Sequence, residues 1–201
     1  MRAALAVLVE RAGEVARPKA LYRECFIQSR TDDTVTIDGV TFVSRALRMN
    51  LDQVQRVFPY IVTCGTEVDA IDTPQGDFLQ EFWLDAIKAS LLQQAGRYLR
   101  DLLDRRYRLG KTSAMSPGAG DIAVAVWPIE QQREMFSLFG DVEALIGVRL
   151  TDSCLMVPNK TVSGIRFPAE IAFESCQLCR RENCVGRRAP FDQAMWDTVQ
   201  G

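Results

Sequence analysis

The stretch at residues 150–167 most constrains how this chain of 201 residues can fold. Apolar residues dominate it, Pro158 interrupts it, and Gly164 follows Val162 and Ser163 at a second break. Short apolar runs bounded by proline and glycine are typical of strands joined by turns. We therefore expect strands in this part of the chain.

Three cysteines follow this stretch, at Cys176, Cys179 and Cys184. Thiolates separated by two and then four residues can point toward one metal ion from a tight turn. A closed site needs a fourth ligand, and either Cys154 or Cys64 is expected to supply it, with Cys154 slightly favoured. The sequence therefore predicts a thiolate metal site near the C-terminus.

The chain contains no histidine, so any metal must be held by thiolate or oxygen ligands. The same absence rules out Ser-His-Asp and Cys-His nucleophiles. Four arginines are interleaved with the thiols and would offset an anionic cluster: Arg180, Arg181, Arg187 and Arg188. An iron–sulfur cluster is the preferred occupant, and structural zinc or metal-free thiols are the alternatives.

Hydrophobic periodicity predicts the remaining elements. Helices are expected at residues 1–16, 22–28, 44–56, 76–108, 127–139 and 191–201, with a short element at 142–147. A hairpin turning at Asp38-Gly39 is expected at 34–42, a strand at 58–65 and a loop at 111–121. We expect a main α+β domain at residues 1–170 and a cysteine-rich extension at 171–201.

Composition narrows the class of partner. The hydrophobic fraction of 47% and charged fraction of 25% are those of an ordinary globular protein. A net charge of −2 gives no reason to expect nucleic acid or an anionic membrane as a partner. No apolar run approaches the roughly 20 residues that span a bilayer, and the N-terminus lacks a signal-peptide cleavage site. A cytoplasmic location is expected.

Three short motifs carry a family resemblance. They are Leu150-Thr151-Asp152-Ser153, Met156-Val157-Pro158 and Val162-Ser163-Gly164. In order and spacing they resemble the activation domain of cobalamin-dependent methionine synthase. The resemblance implies a twisted antiparallel sheet with flanking helices, here followed by a small cysteine-bearing C-terminal lobe.

The resemblance also implies a ligand site. In the activation domain, a loop with a Pro-Gly pair binds S-adenosylmethionine against the Val-Ser-Gly strand. The corresponding positions here are Pro117, Gly118, Ser153, Val162, Ser163 and Gly164. Ala114 and Ala119 replace the arginine and tyrosine of that loop. S-adenosylmethionine binding should therefore be weak or absent unless Lys111 or Arg166 replaces the missing charge.

The function implied is reactivation of a corrinoid system. The chain would assist a corrinoid protein or cobalamin-dependent methyltransferase, helping to recover oxidised cobalamin by reduction through the cysteine-bound cluster. The alternative is a non-catalytic docking module whose zinc or free thiols only hold the C-terminal lobe. A thiol oxidoreductase ranks lowest, because the Cys-x-x-Cys pair is not embedded in a βαβ pattern.

Overall fold

The computed structural model describes residues 2–119, 126–170 and 173–200. Its α-helices are α1 (Arg2–Val15), α2 (Arg45–Asn50), α3 (Phe78–Tyr107), α4 (Gln132–Ser137), α5 (Val142–Ile146) and α6 (Gln193–Gln200). Short 3₁₀ turns lie at Glu67–Ala70, Ile129–Gln131 and Ser175–Leu178. The long periodic segment and the N-terminal and C-terminal helices are thus confirmed.

The strands form one large sheet and one small hairpin. They are β1 (Lys19–Tyr22), β2 (Cys25–Arg30), β3 (Thr34–Ile37), β4 (Val40–Val43), β5 (Arg56–Thr63), β6 (Thr112–Met115), β7 (Arg149–Leu150), β8 (Met156–Val157) and β9 (Thr161–Pro168). The large sheet has the order β4-β3-β2-β5-β9-β6, with β1 beside β5. Strand β2 runs antiparallel to β3 and β5, as β3 does to β4 and β6 to β9. The predicted α+β class with an antiparallel sheet is confirmed.

The predicted hairpin is confirmed by its turn. Strands β3 and β4 meet at Asp38 and Gly39, whose φ angles are 45° and 84°. Two successive positive φ angles match the right-handed twist of the flanking strands, and Asp-Gly is a preferred pair there. Val35 lies opposite Phe42, and both side chains are buried.

Three sequence predictions need correction. Residues 22–28 are not helical, because Cys25 and Ile27 are buried while Phe26 is exposed. That alternation belongs to a strand with one face on the core. The helix expected at 44–56 ends at Asn50, since Arg56 already pairs with Phe26 in the sheet.

The loop expected at residues 111–121 contains a strand. Strand β6 occupies its first half, where Ser113 and Met115 are buried and Thr112 and Ala114 are half-buried. Pairing with β9 satisfies the backbone of this segment. Residues 120 and 121 of the expected loop lie outside the described residues.

The chain packs as two compact units. Unit 1 comprises Met1–Leu21, Ile61–Arg106 and Asp141–Val162, and unit 2 comprises Tyr22–Tyr60, Tyr107–Gly140 and Ser163–Gly201. The core of unit 1 is small and is built from Leu8, Ala12, Val68, Ile71 and Leu84. The core of unit 2 is larger, and Phe173, Leu178 and Trp196 belong to it. Within the described ranges, no helix is long and apolar enough to cross a membrane.

Candidate functional site

The Pro117-Gly118 turn is fixed against the segment that leads into α4. Gly118 has a φ of 75°, and its N–H donates to the carbonyl of Trp127 over 2.8 Å. A Cβ at Gly118 would lie 3.0 Å from the side chain of Ile129. Trp127 is itself buried and packs edge-to-face on Phe42, so the turn rests on the core of unit 2. Glycine is needed here for both conformation and space.

The same turn approaches β9 at Gly164. A Cβ on Gly164 would lie 2.5 Å from the Met115 carbonyl oxygen, 2.7 Å from Ser116 Oγ and 3.0 Å from the Tyr60 hydroxyl. Only a residue without a side chain allows such a close approach. We call these four residues, Tyr60, Met115, Ser116 and Gly164, the glycine cradle. It joins the end of β6 to the Val-Ser-Gly motif and presents two hydroxyl groups.

Ser163 points its hydroxyl into unit 2. Its Oγ donates to the side-chain oxygen of Gln132 over 2.7 Å, and both residues are buried. This bond fixes α4 against β9. The hydroxyl of Ser163 is therefore already engaged within the protein.

Two cations act on the glycine cradle. Burial raises the pKa of the Tyr60 hydroxyl, while Arg166, a hydrogen bond with Ser116, and Arg188 oppose that rise. Burial dominates, so Tyr60 is a neutral hydroxyl at physiological pH. The two guanidinium groups nevertheless give the cradle a positive field.

Arg166 lies directly across the sheet from Ala114. The two residues are register partners in the β6–β9 pair, so their side chains leave the same face of the sheet. Arg166 Nη1 donates to Thr112 Oγ1 over 2.8 Å. Lys111, the other candidate for the missing charge, is exposed, and its carbonyl accepts from the N–H of Ala169.

The other two predicted ligand residues, Ser153 and Val162, belong to unit 1. Ser153 is exposed, and its hydroxyl lies 3.0 Å from Thr151 Oγ1 in the turn between β7 and β8. Val162 is half-buried in β9. The role of both residues as ligand contacts stays a prediction.

The cysteine loop, residues 176–188, is organised by Arg187. Its guanidinium donates to the carbonyls of Cys176, Cys179, Arg181 and Ala189, which ties together the backbone on both sides of the loop. The planar, forked guanidinium can serve several acceptors at once. This arginine therefore fixes the positions from which the thiols project.

The thiols of the cysteine loop differ in exposure. Cys176 and Cys179 are half-buried, and Cys184 is exposed. The backbone N–H of Arg188 donates to Cys176 Sγ over 3.4 Å. Across the described ranges, no three histidine, cysteine or acidic side chains stand close enough together to hold a metal ion.

The two candidate fourth ligands lie in unit 1. Cys64 is buried, its Sγ donates to the Gly65 carbonyl over 3.3 Å, and burial raises the pKa of its thiol. Cys154 is buried with a φ of 61°. Cys25 belongs to the core of unit 2, and burial raises the pKa of its thiol to about 12. All six cysteines lie in the described ranges, and none forms a disulfide.

Sequence reasoning missed Tyr60 and Gln132. Tyr60 reads as one more apolar residue of a strand, and Gln132 as one polar residue of a helix. Each gains its role only from a partner far along the chain, such as Ser116 or Ser163. No local sequence signal marks such pairings.

The comparisons with known proteins bear on the fold. No protein-family model matches the sequence, and no curated protein matches it. Among solved structures, the chain is similar to the crystal structure of the MetH reactivation domain bound to AdoHcy. The TM-score is 0.60 at 16% identity, covering 86% of this chain and 68% of the other. The activation-domain-like fold predicted from the three motifs is therefore confirmed.

Proposed function

We propose that this chain is an activation partner of a corrinoid-dependent methyltransferase system. The observation that carries the proposal is the likeness to a reactivation domain bound to AdoHcy, over 86% of this chain. The three motifs that predicted this fold lie in β7, β8 and β9 and the turns beside them. A separate corrinoid protein, or a methyltransferase that carries cobalamin, is the partner on which the chain would act, in the cytoplasm.

The proposed ligand is S-adenosylmethionine or a related adenosyl amino acid, bound beside the glycine cradle. Pro117, Gly118 and Gly164 are the proposed ligand residues of the turn and of β9, and the close packing of the two glycines fixes the backbone there. Ser153, Val162 and Ser163 complete the proposed ligand residues. The hydroxyls of Tyr60 and Ser116 are placed to orient polar groups of such a ligand.

Arg166 is the proposed partner for the carboxylate of the ligand. It leaves the same face of the sheet as Ala114, one strand away, and its charge acts on Tyr60. A guanidinium can bind a carboxylate through two parallel hydrogen bonds. The positive charge would thus come from β9 instead of from the position of Ala114.

The cysteine loop is proposed to hold a metal centre through Cys176, Cys179 and Cys184, with Cys154 or Cys64 as the fourth ligand. Three soft thiolates suit an iron–sulfur cluster, and zinc is the alternative. When bound, an iron–sulfur cluster supplies one-electron transfer. Arg187 keeps the loop backbone in place, and Arg188 adds positive charge beside Cys176.

Calorimetry with AdoHcy tests the ligand site. Wild-type protein is expected to bind, and Arg166→Ala should lose about 10-fold to 100-fold in affinity, because a hydrogen bond to a charged group contributes about 1.5–3 kcal/mol. Arg166→Lys should recover part of the loss. Arg149→Ala removes an exposed arginine from β7 and is the matched control.

A second measurement tests the proposed partner. A corrinoid protein carrying oxidised cobalamin should regain methyl transfer faster with the wild-type chain and a reductant than with the reductant alone. If Arg166→Ala binds AdoHcy with the wild-type affinity, Arg166 does not contact the ligand. Absence of both AdoHcy binding and cobalamin recovery would overturn the proposed function.

A docking module without catalysis is the second candidate. Arg187 favours it, because its four hydrogen bonds to loop carbonyls can themselves order the cysteine loop. In that case the chain would bind the corrinoid protein with the same affinity whether or not the three cysteines are present. Loss of cobalamin recovery in cysteine variants that still bind the partner would favour the electron-transfer role.

A further inference from the structure

A cavity of about 440 Å³ opens in the C-terminal part of unit 2. We call it the C-terminal cavity, and its lining residues are Arg180, Glu182, Arg187, Pro190 and Phe191. Its volume is within the range of small-molecule sites. Its wall contains two guanidinium groups, one carboxylate and one aromatic ring, so it can recognise both charge and apolar surface.

The guanidinium of Arg180 lies over two aromatic rings. Its guanidinium carbon lies 4.3 Å from the centre of the Trp196 ring and 5.9 Å from that of Phe191. The two rings are 5.8 Å apart, and Trp196 is buried. A guanidinium over an aromatic ring is attracted to the face of the ring, and its N–H groups can still donate to an anion.

The two other charges of the wall play different parts. The terminal nitrogens of Arg187 donate to four loop carbonyls, so this cation is fixed and adds a positive field. Within the described part of the chain, the carboxylate of Glu182 has no ion-pair partner, and neither has Arg180. The cavity therefore combines a cation, Arg180, and a carboxylate, Glu182, that can each bind a charged group of a ligand.

We propose that the C-terminal cavity binds a small zwitterionic amino acid with an apolar side chain. The carboxylate of the ligand binds the N–H edge of Arg180, and its ammonium group binds Glu182. Its side chain packs on Phe191 and Pro190. The lining charges sum to one positive charge, which disfavours a simple amine and leaves the ammonium dependent on Glu182.

A series of three related probes tests this assignment. L-leucine has both charged groups, 4-methylpentanoate lacks the ammonium group, and 3-methylbutylamine lacks the carboxylate. The reporter is the indole N–H resonance of Trp196, identified by its loss in Trp196→Phe. Leucine should shift this resonance with an affinity about tenfold higher than 4-methylpentanoate, and 3-methylbutylamine should leave it unchanged.

Variants connect each charged group of the probe to one residue. Glu182→Gln should make leucine and 4-methylpentanoate bind equally, and Arg180→Gln should abolish the shift by both. Glu143→Gln, on the exposed side of α5, is the control and should preserve the wild-type order. Equal binding of all three probes to wild type, no shift with leucine at millimolar concentration, or a preference for leucine that survives in Glu182→Gln would each overturn the proposal.

Discussion

The Oγ of Ser163 lies 2.7 Å from the side-chain oxygen of Gln132, and both residues are buried. This hydrogen bond connects the middle of β9 to the first residue of α4. Because the bond is shielded from water, removal of one partner leaves the other unsatisfied. The Val-Ser-Gly motif therefore has a structural function at its serine as well as at its glycine.

We expect Ser163→Ala to lower the free energy of unfolding by about 1–3 kcal/mol, because the amide of Gln132 would lose its partner. Urea denaturation followed by circular dichroism measures the change. Gln132→Leu alone should also destabilise the protein, and the double variant should lose less than the sum of the two. Strict additivity would show that the two side chains do not depend on each other.

The close approach at Gly164 gives a second prediction. Gly164→Ala would place a methyl group 2.5 Å from the Met115 carbonyl oxygen. We expect a loss of about 1–3 kcal/mol, as in other overpacked positions. Gly96→Ala in α3 is the matched control, since nothing lies within 4 Å of its new methyl group. The control should be stabilised by up to about 1 kcal/mol because alanine favours helix. Equal changes in the free energy of unfolding for Gly164→Ala and Gly96→Ala would contradict the close approach of Gly164 to Met115.

The sequence alone predicts those elements whose pattern is local. The apolar repeat of α3 and the Asp38-Gly39 turn depend on nearby residues, and both are confirmed. The helix predicted at residues 22–28 is wrong, because the segment is short and its strand structure depends on pairing with β3 and β5 further along the chain. The loop predicted at residues 111–121 contains strand β6 in its first half, because that strand forms only by pairing with β9.

The candidate site is harder to predict from sequence, because its contacts join residues that are far apart along the chain. The position of Arg166 opposite Ala114 depends on strand register, which joins residues that are far apart in sequence. The four carbonyl bonds of Arg187 likewise form only when the chain has closed the cysteine loop. Motifs located the glycines and thiols, but only the folded chain identifies their neighbours.

A third prediction concerns acid stability. Burial would raise the pKa of Glu67, but backbone N–H groups and Lys19, 3.1 Å away, outweigh it, so the pKa is held below the ordinary value of 4.5. A carboxyl group with a lowered pKa stabilises the folded state at neutral pH, and this contribution is lost as the pH falls through the folded pKa. Urea denaturation at neutral pH and below pH 4.5 should show a smaller acid effect in Glu67→Gln. Glu81 is exposed on α3, so Glu81→Gln is the control and should lose as much stability in acid as the wild type. An equal loss of stability in acid for Glu67→Gln and wild type would refute the prediction.

The last prediction concerns the cysteine loop. If the loop holds an iron–sulfur cluster, protein purified without oxygen should contain iron and sulfide and absorb at about 400 nm. Zinc would give metal without colour. Replacement of Cys176, Cys179 and Cys184 by alanine should remove the metal while unit 1 stays folded, because the core of unit 1 contains no residue of the loop. Metal analysis and circular dichroism of the same sample measure both outcomes.

Single substitutions then identify the fourth ligand. Cys154→Ala should lower metal occupancy more than Cys64→Ala if the motif cysteine is the ligand, and Cys25→Ala controls for loss of a thiol outside the site. Arg187→Lys distinguishes the contribution of Arg187 to loop order from that of a metal. A lysine cannot donate to four carbonyls at once, so a loop that Arg187 alone holds in place should become sensitive to protease. A loop that metal also ties together should resist cleavage until a chelator is added. Full metal occupancy in the triple cysteine variant, or no metal in anaerobic wild type, would exclude the proposed site.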